Sequence, residues 1–208
     1  SQEGGIDPII INAFTQAARN LLADGKFRDI VVRGGETIKE TTFKTADGFI
    51  VTPGKAKPFQ KQADEWKEGV MTIFAGKGHG SGFAIGENLI LTNHHVIGES
   101  NKVVVKLGAG FEISGDVIAY NSAYDVALIK VPASLPRYFK LQRTLPSIGA
   151  DVYALGSPLT EDLDGTLSRG VISNIRKENN KTLIQSDVNV LPGNSGGPLV
   201  NELGEAVG

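Results

Sequence analysis

Residues 69–96 read GVMTIFAGKGHGSGFAIGENLILTNHHV. Short runs rich in Val, Ile, Leu and Phe are cut by Gly-Lys-Gly and Gly-Glu-Asn. Each run is too short for a globular helix and is closed by turn residues, which is how half-buried strands are written. The same pattern continues in KVVVKL (102–107), ISGDVIAY (113–120), DVALIKV (125–131), ADVYALG (150–156), SRGVISNI (168–175) and TLIQSDV (182–188). No long helical period interrupts them. Regular short strands of this kind predict an all-β antiparallel sandwich or barrel rather than βαβ units.

The stretch before residue 67 differs. Asp7 can cap a helix whose first position suits Pro8, and Ile10, Phe14, Ala17, Ala18 and Leu21 then share one face. Gly25 is placed to end that helix. RDIVVRGG (28–35) and GFIVTPG (48–54) read as strands, and GKAKPFQKQADEW (54–66) as a polar linker or short helix. The predicted division is therefore a small α+β extension over 1–66 and an all-β domain over 67–208.

Composition narrows the function classes. Hydrophobic residues make up 40% of the 208, enough for a packed core. A net charge of −2 and the lack of a long basic run argue against a nucleic-acid partner held by counterion release. With no cysteine, disulfides, thiol catalysis and Cys-ligated metal are excluded. No apolar run reaches the roughly 18–20 residues of a membrane helix. The first residue is Ser1, so a processed piece without its signal peptide is expected.

Three stretches carry residues suited to chemistry. PGNSGGP (192–198) places Ser195 among Gly193, Gly196 and Gly197, whose backbone freedom lets a turn expose a serine and aim consecutive N–H groups into one space. The same residues also make an ordinary glycine turn. His94 and His95 stand where the apolar LILT runs into a polar stretch, and His79 is the remaining histidine. Adjacent strand side chains point to opposite faces, and no His-x₃-His spacing exists, so no metal site is expected. Asp125 leads into an apolar strand, where a carboxylate needs a partner such as a histidine N–H. Asp116, Asp151 and Asp187 are rivals on residue type alone.

Together, GSGFAIGENLILTNHHVI (80–97), YDVALIKV (124–131) and GNSGGPLVNELGEAVG (193–208) resemble the chymotrypsin-like serine peptidases, most closely the HtrA (Deg) family. The resemblance covers about residues 70–208. It implies two antiparallel β-barrels, the first holding His95 and Asp125 and the second Ser195. It selects His95 over His94 and Asp125 over its rivals. The chain order His, Asp, Ser is that of the chymotrypsin group. It further implies an oxyanion hole from the N–H groups of Gly193 and Ser195, and a substrate-binding S1 segment at Asn189, Val190 and Leu191. With no acid in that segment, small or medium aliphatic P1 residues are expected. Asn194, where trypsin-like zymogens carry Asp, cannot pair with a freshly cut N-terminus. GNSGGP rather than GNSGSP favours the HtrA group over glutamyl endopeptidases.

The implied activity is endopeptidase cleavage of unfolded or damaged proteins. No cofactor is expected, protein or peptide substrates are the partners, and a homo-oligomer is one option for the N-terminal segment. The implied location is periplasmic or otherwise extracytoplasmic in bacteria, with the cytoplasm as alternative. The chain stops at Gly208, soon after Ser195, so the second barrel is expected to be incomplete here, with further strands and in many members a PDZ domain beyond. Two readings compete: a non-catalytic protease-fold scaffold or chaperone, and another chymotrypsin-like peptidase subgroup.

Overall fold

The computed structural model describes residues 59–208 apart from 109, 158–164 and 179–180. The helix expected over 7–24 and the strands expected at 28–35 and 48–54 lie outside the described residues. The short-helix option for 54–66 is realised as α1, Phe59–Lys67. Its Trp66 is buried and packs on the Tyr153 ring, centroids 5.6 Å apart. A side chain at Gly204 would overlap that indole.

Six strands follow and close on themselves. These are β1 (Val70–Ala75), β2 (Gly78–Gly86), β3 (Leu89–Thr92), β4 (Lys102–Lys106), β5 (Glu112–Asn121) and β6 (Val126–Lys130). They pair antiparallel in the order β1-β2-β3-β6-β5-β4, and β4 returns to β1 to close the barrel. Closure removes the exposed edges that an open sheet would present. One short helical turn, α2 (His94–Ile97), leaves the end of β3.

The second unit is a six-stranded sheet, open among the described residues, ordered β10-β9-β8-β11-β12-β7. Its strands are β7 (Lys140–Leu141), β8 (Asp151–Gly156), β9 (Thr166–Glu178), β10 (Lys181–Ser186), β11 (Leu199–Asn201) and β12 (Glu205–Ala206). All its pairs are antiparallel except β12 with β7. The all-β, two-barrel expectation holds, with the first barrel closed and the second a curved half.

The packing explains why β6 is apolar on every residue from Val126 to Ile129 instead of alternating. Ala127 and Ile129 join Met71, Ile73, Ile90 and Val105 inside the first barrel. Val126 and Leu128 face the other way, into a core shared with Phe139 and with Tyr153, Leu155 and Val200 of the second unit. Strand β8 does the converse: Tyr153 and Leu155 enter the shared core, while Val152 and Ala154 join Ile172, Ile184 and Leu199 in the second unit's own interior. A strand covered on both faces has no reason to alternate. The shared core therefore fixes the loops that meet between the two units.

Candidate active site

The strand expected through His94 and His95 ends earlier, at Thr92, and both histidines belong to the helical turn α2. Val96 and Ile97 bury themselves on the barrel and leave the two histidines turned outward. They diverge: the His94 ring lies against Tyr120, centroids 4.8 Å apart, while His95 meets Asp125. Asn93 occupies the N-cap position yet makes no capping bond with its side chain. Its Nδ2 instead donates to the Asp125 carbonyl at 2.7 Å.

That bond matters because Asp125 is the one non-glycine with positive φ among the described residues, at 55°. Such a conformation costs a non-glycine residue roughly 1–3 kcal/mol and persists where its surroundings hold it. The holding contacts are visible. The Asp125 N–H donates to the Ser122 carbonyl at 3.3 Å, and Asn93 takes the Asp125 carbonyl. The carboxylate is then doubly engaged: Oδ1 accepts the His95 backbone N–H at 2.8 Å and Oδ2 lies 2.6 Å from His95 Nδ1. Accepting that Nδ1 hydrogen bond is the main reason the His95 imidazole is held above its ordinary pKa; the nearby negative charge adds to it, and partial burial opposes it.

The rival aspartates are committed elsewhere. Asp116 pairs with Lys102 at 2.6 Å, Asp151 with Arg169 at 3.0 Å, and Asp187 accepts the Val171 N–H at 2.7 Å. Among the described residues no group of three or more His, Asp or Glu could hold a metal ion.

Ser195 sits half-buried in the turn between β10 and β11. The turn is tight: the Asn194 N–H donates to the Leu191 carbonyl at 3.0 Å and the Gly197 N–H to the Asn194 carbonyl at 2.8 Å. Gly193 and Gly196 take φ of 97° and 85°. Any side chain at Gly196 would also collide with the Ser81 carbonyl and the Thr92 hydroxyl. Among the described residues, neither the Gly193 nor the Ser195 N–H has a hydrogen-bond acceptor.

Two groups anchor this turn through contacts that sequence reasoning did not foresee. Asn194 is buried, and its Oδ1 accepts the Thr166 hydroxyl at 3.1 Å in a niche that exists only because residue 156 is glycine. Ser81, fully buried on β2, donates its N–H to the Ser195 carbonyl at 2.7 Å and its hydroxyl to the Gly193 carbonyl at 2.6 Å. The GSGF spacing marked Ser81 only as part of a motif; its role depends on contacts 112 residues away. In the proposed S1 segment, Asn189 and Leu191 are exposed, whereas Val190 packs on the second unit's interior.

Residues 80–208 match the family model described as a trypsin-like peptidase domain. A probable periplasmic serine endoprotease, DegP-like, of Pseudomonas fluorescens is 39% identical over 135 residues, covering 62% of this chain and 28% of its own length. The protein of the same description from Halomonas elongata is 39% identical over 139 residues, with the same coverage. The chain thus spans little more than a quarter of the length of these relatives. Among solved structures, the serine endoprotease from Yersinia pestis superposes with a TM-score of 0.63 at 27% identity, over 74% of this chain and 57% of its own. The Rv3671c protease, inactive form, gives 0.62 at 26% identity, over 74% and 85%.

Proposed function

The chain belongs to the trypsin-like peptidase domain family, and from that premise we propose that it works as a serine endopeptidase with His95, Asp125 and Ser195 as its triad. The observation that carries this reading is the 2.6 Å contact between His95 Nδ1 and Asp125 Oδ2. It leaves Nε2 as the basic nitrogen of the ring, because a carboxylate can only accept and so keeps the proton on Nδ1.

In the proposed reaction, Ser195 Oγ attacks the scissile carbonyl while His95 Nε2 takes its proton. The carbonyl π pair moves onto oxygen, which the Gly193 and Ser195 N–H groups receive. Collapse of the tetrahedral species breaks the C–N bond, and His95 gives its proton to the leaving amine. Water then attacks the acyl-enzyme with His95 again as base, and collapse of the second tetrahedral species breaks the ester bond to Ser195 Oγ, which takes the proton back from His95 as the carboxylic product leaves. These two donors, without an acceptor among the described residues, support this use, and losing one such donor typically costs about 10²–10³ in rate.

The substrates we propose are unfolded or damaged proteins, in a bacterial extracytoplasmic compartment. Support comes from the relatives, which are named as probable periplasmic endoproteases. Asn189, Val190 and Leu191 are proposed to shape S1 for aliphatic P1 side chains. Residues 1–66 are proposed as an N-terminal extension, regulatory or assembling, ahead of a peptidase domain over 67–208. Among the described residues no helix is long and apolar enough to cross a membrane.

The test is labelling of the full-length protein with a fluorophosphonate probe, alongside casein hydrolysis. Labelling is expected for the wild type, with Ser195→Ala unlabelled, and both Ser195→Ala and His95→Ala inactive on casein. His94→Ala should change little, since its ring contacts Tyr120 and not Asp125. An unlabelled wild type would leave a protease-fold scaffold as the better reading. A dead His94→Ala beside an active His95→Ala would reverse the assignment.

A further inference from the structure

Ser81 lies on β2 of the closed barrel, far in sequence from the Ser195 turn, and is completely buried. Every polar group it carries is used. Its N–H goes to the Ser195 carbonyl at 2.7 Å, its hydroxyl to the Gly193 carbonyl at 2.6 Å, and its carbonyl accepts the Thr92 hydroxyl at 2.7 Å. The Ser81 hydroxyl also accepts the Ser157 N–H at 2.9 Å, and the Ser157 hydroxyl meets Thr72 Oγ1 on β1 at 2.7 Å. A hydroxyl that both donates and accepts is fixed in direction, which one with a single partner is not.

We propose that Ser81 is a positioning residue for the peptidase reaction: by gripping the carbonyls of Gly193 and Ser195 from the opposite barrel, it holds the turn in the conformation that keeps the Gly193 and Ser195 N–H groups open to an oxyanion. The proposal rests on the assignment of Ser195 as nucleophile. Gly193 has no side chain and a φ of 97°, so nothing intrinsic to it fixes the peptide planes on either side. The turn's own two bonds, Asn194 to Leu191 and Gly197 to Asn194, leave the Gly193 carbonyl unheld. The one hydrogen bond on that oxygen comes from Ser81, among the described residues. Without it the 193–194 peptide is held at one end only, by the Asn194 N–H bond to the Leu191 carbonyl, and the Gly193 N–H in the adjoining peptide loses its aim. Ser81 never touches substrate or His95, so its effect belongs to oxyanion stabilisation and not to proton transfer.

The experiment compares wild type, Ser81→Ala and Ser81→Gly in the full-length protein, with Ser195→Ala as reference. Both small substitutions delete the hydroxyl and keep the backbone N–H. The expected result is a fall in kcat of about 10- to 100-fold, bounded above by the effect of removing an oxyanion donor outright. KM should stay within about twofold and the acid limb of the pH profile should not move. Affinity for a peptide aldehyde, whose adduct carries an oxyanion, should fall with kcat. Equal losses in kcat and kcat/KM with an unmoved pH profile separate positioning from general destabilisation. Retained kcat within about twofold in either folded variant would overturn the proposal, as would a shifted acid limb. Failure of both variants to fold would overturn it too, by assigning Ser81 to stability. If instead the wild type is unlabelled by fluorophosphonate, it is the nucleophile assignment that fails, and the two failures are distinguishable.

Discussion

Replacing Asp125 by Asn tests the site most sharply, because the structure dictates which way the new amide must face. The His95 backbone N–H, 2.8 Å from Oδ1, needs an acceptor. An amide at 125 satisfies it only with its oxygen, which forces the NH₂ group onto the position 2.6 Å from His95 Nδ1. There it donates, so the ring proton moves to Nε2, the atom that must receive the proton of Ser195 Oγ. Asn tolerates the left-handed backbone at 125 as well as Asp does, so the loop need not rearrange. The lost charge-assisted bond accounts for about 1.5–3 kcal/mol, roughly 10- to 10²-fold. The wrong tautomer adds to this, and a total loss of about 10³–10⁴ in kcat is expected, with KM little changed. The assay is steady-state turnover of a fluorogenic peptide by the full-length protein, with circular dichroism to confirm an unchanged fold. Activity kept within about tenfold of wild type would refute the reasoning: either the amide is not oriented by the His95 N–H, or Asp125 does not set the tautomer.

His95 must be neutral to act as base and its pKa is raised by Asp125, so the acid limb of kcat/KM should have its midpoint above 6.5. Because the folded value exceeds the unfolded one, the His95–Asp125 pair stabilises the fold fully below about pH 6.5 and loses that contribution as pH rises through the folded value; melting curves against pH should show this slope in wild type and not in Asp125→Asn. Gly156→Ala should push Asn194 out of its niche and break the Thr166 contact, leaving Oδ1 without its donor beside an Nδ2 that already has no partner among the described residues, and so lower stability by about 1–3 kcal/mol and Tm by several degrees, with activity falling in parallel; an unchanged Tm would show that the niche can relax. Deleting residues 1–26 should leave the mass seen by light scattering unchanged and render 27–66 protease-sensitive if the helix expected from the sequence over 7–24 only closes a local unit, whereas a lower mass would assign that segment to assembly.

The Gly156 and Asp125 cases show where sequence reading stopped. Asn194 was legible as an uncharged substitute for an aspartate, but not as a buried side chain whose Oδ1 is taken by Thr166. Asn93 was legible as a residue of the N-cap class that begins helices, yet its amide serves the Asp125 carbonyl instead. The strands β7, β11 and β12 have only two or three residues, too few for any period to show, and they form because the longer β8 offers them an edge or a partner of theirs does.

What the sequence determined by itself was the local grammar. Short β-branched runs with glycine and asparagine breaks specified strands, and the three motifs in the order His, Asp, Ser specified the family, which the matching relatives bear out. These are properties of neighbouring residues, and neighbours in sequence are neighbours in space. The family resemblance pointed to His95 and Asp125, and tertiary structure decided the contacts themselves: that His95 turns to Asp125 while His94 turns to Tyr120, that Asp116, Asp151 and Asp187 are occupied elsewhere, and that Ser81 reaches the Ser195 turn. The Ser81–Gly193 pairing alone joins residues 112 apart. Such contacts exist because two half-independent sheets bury a common core of Val126, Leu128, Tyr153 and Leu155, and only that packing brings the loop ends within hydrogen-bonding distance.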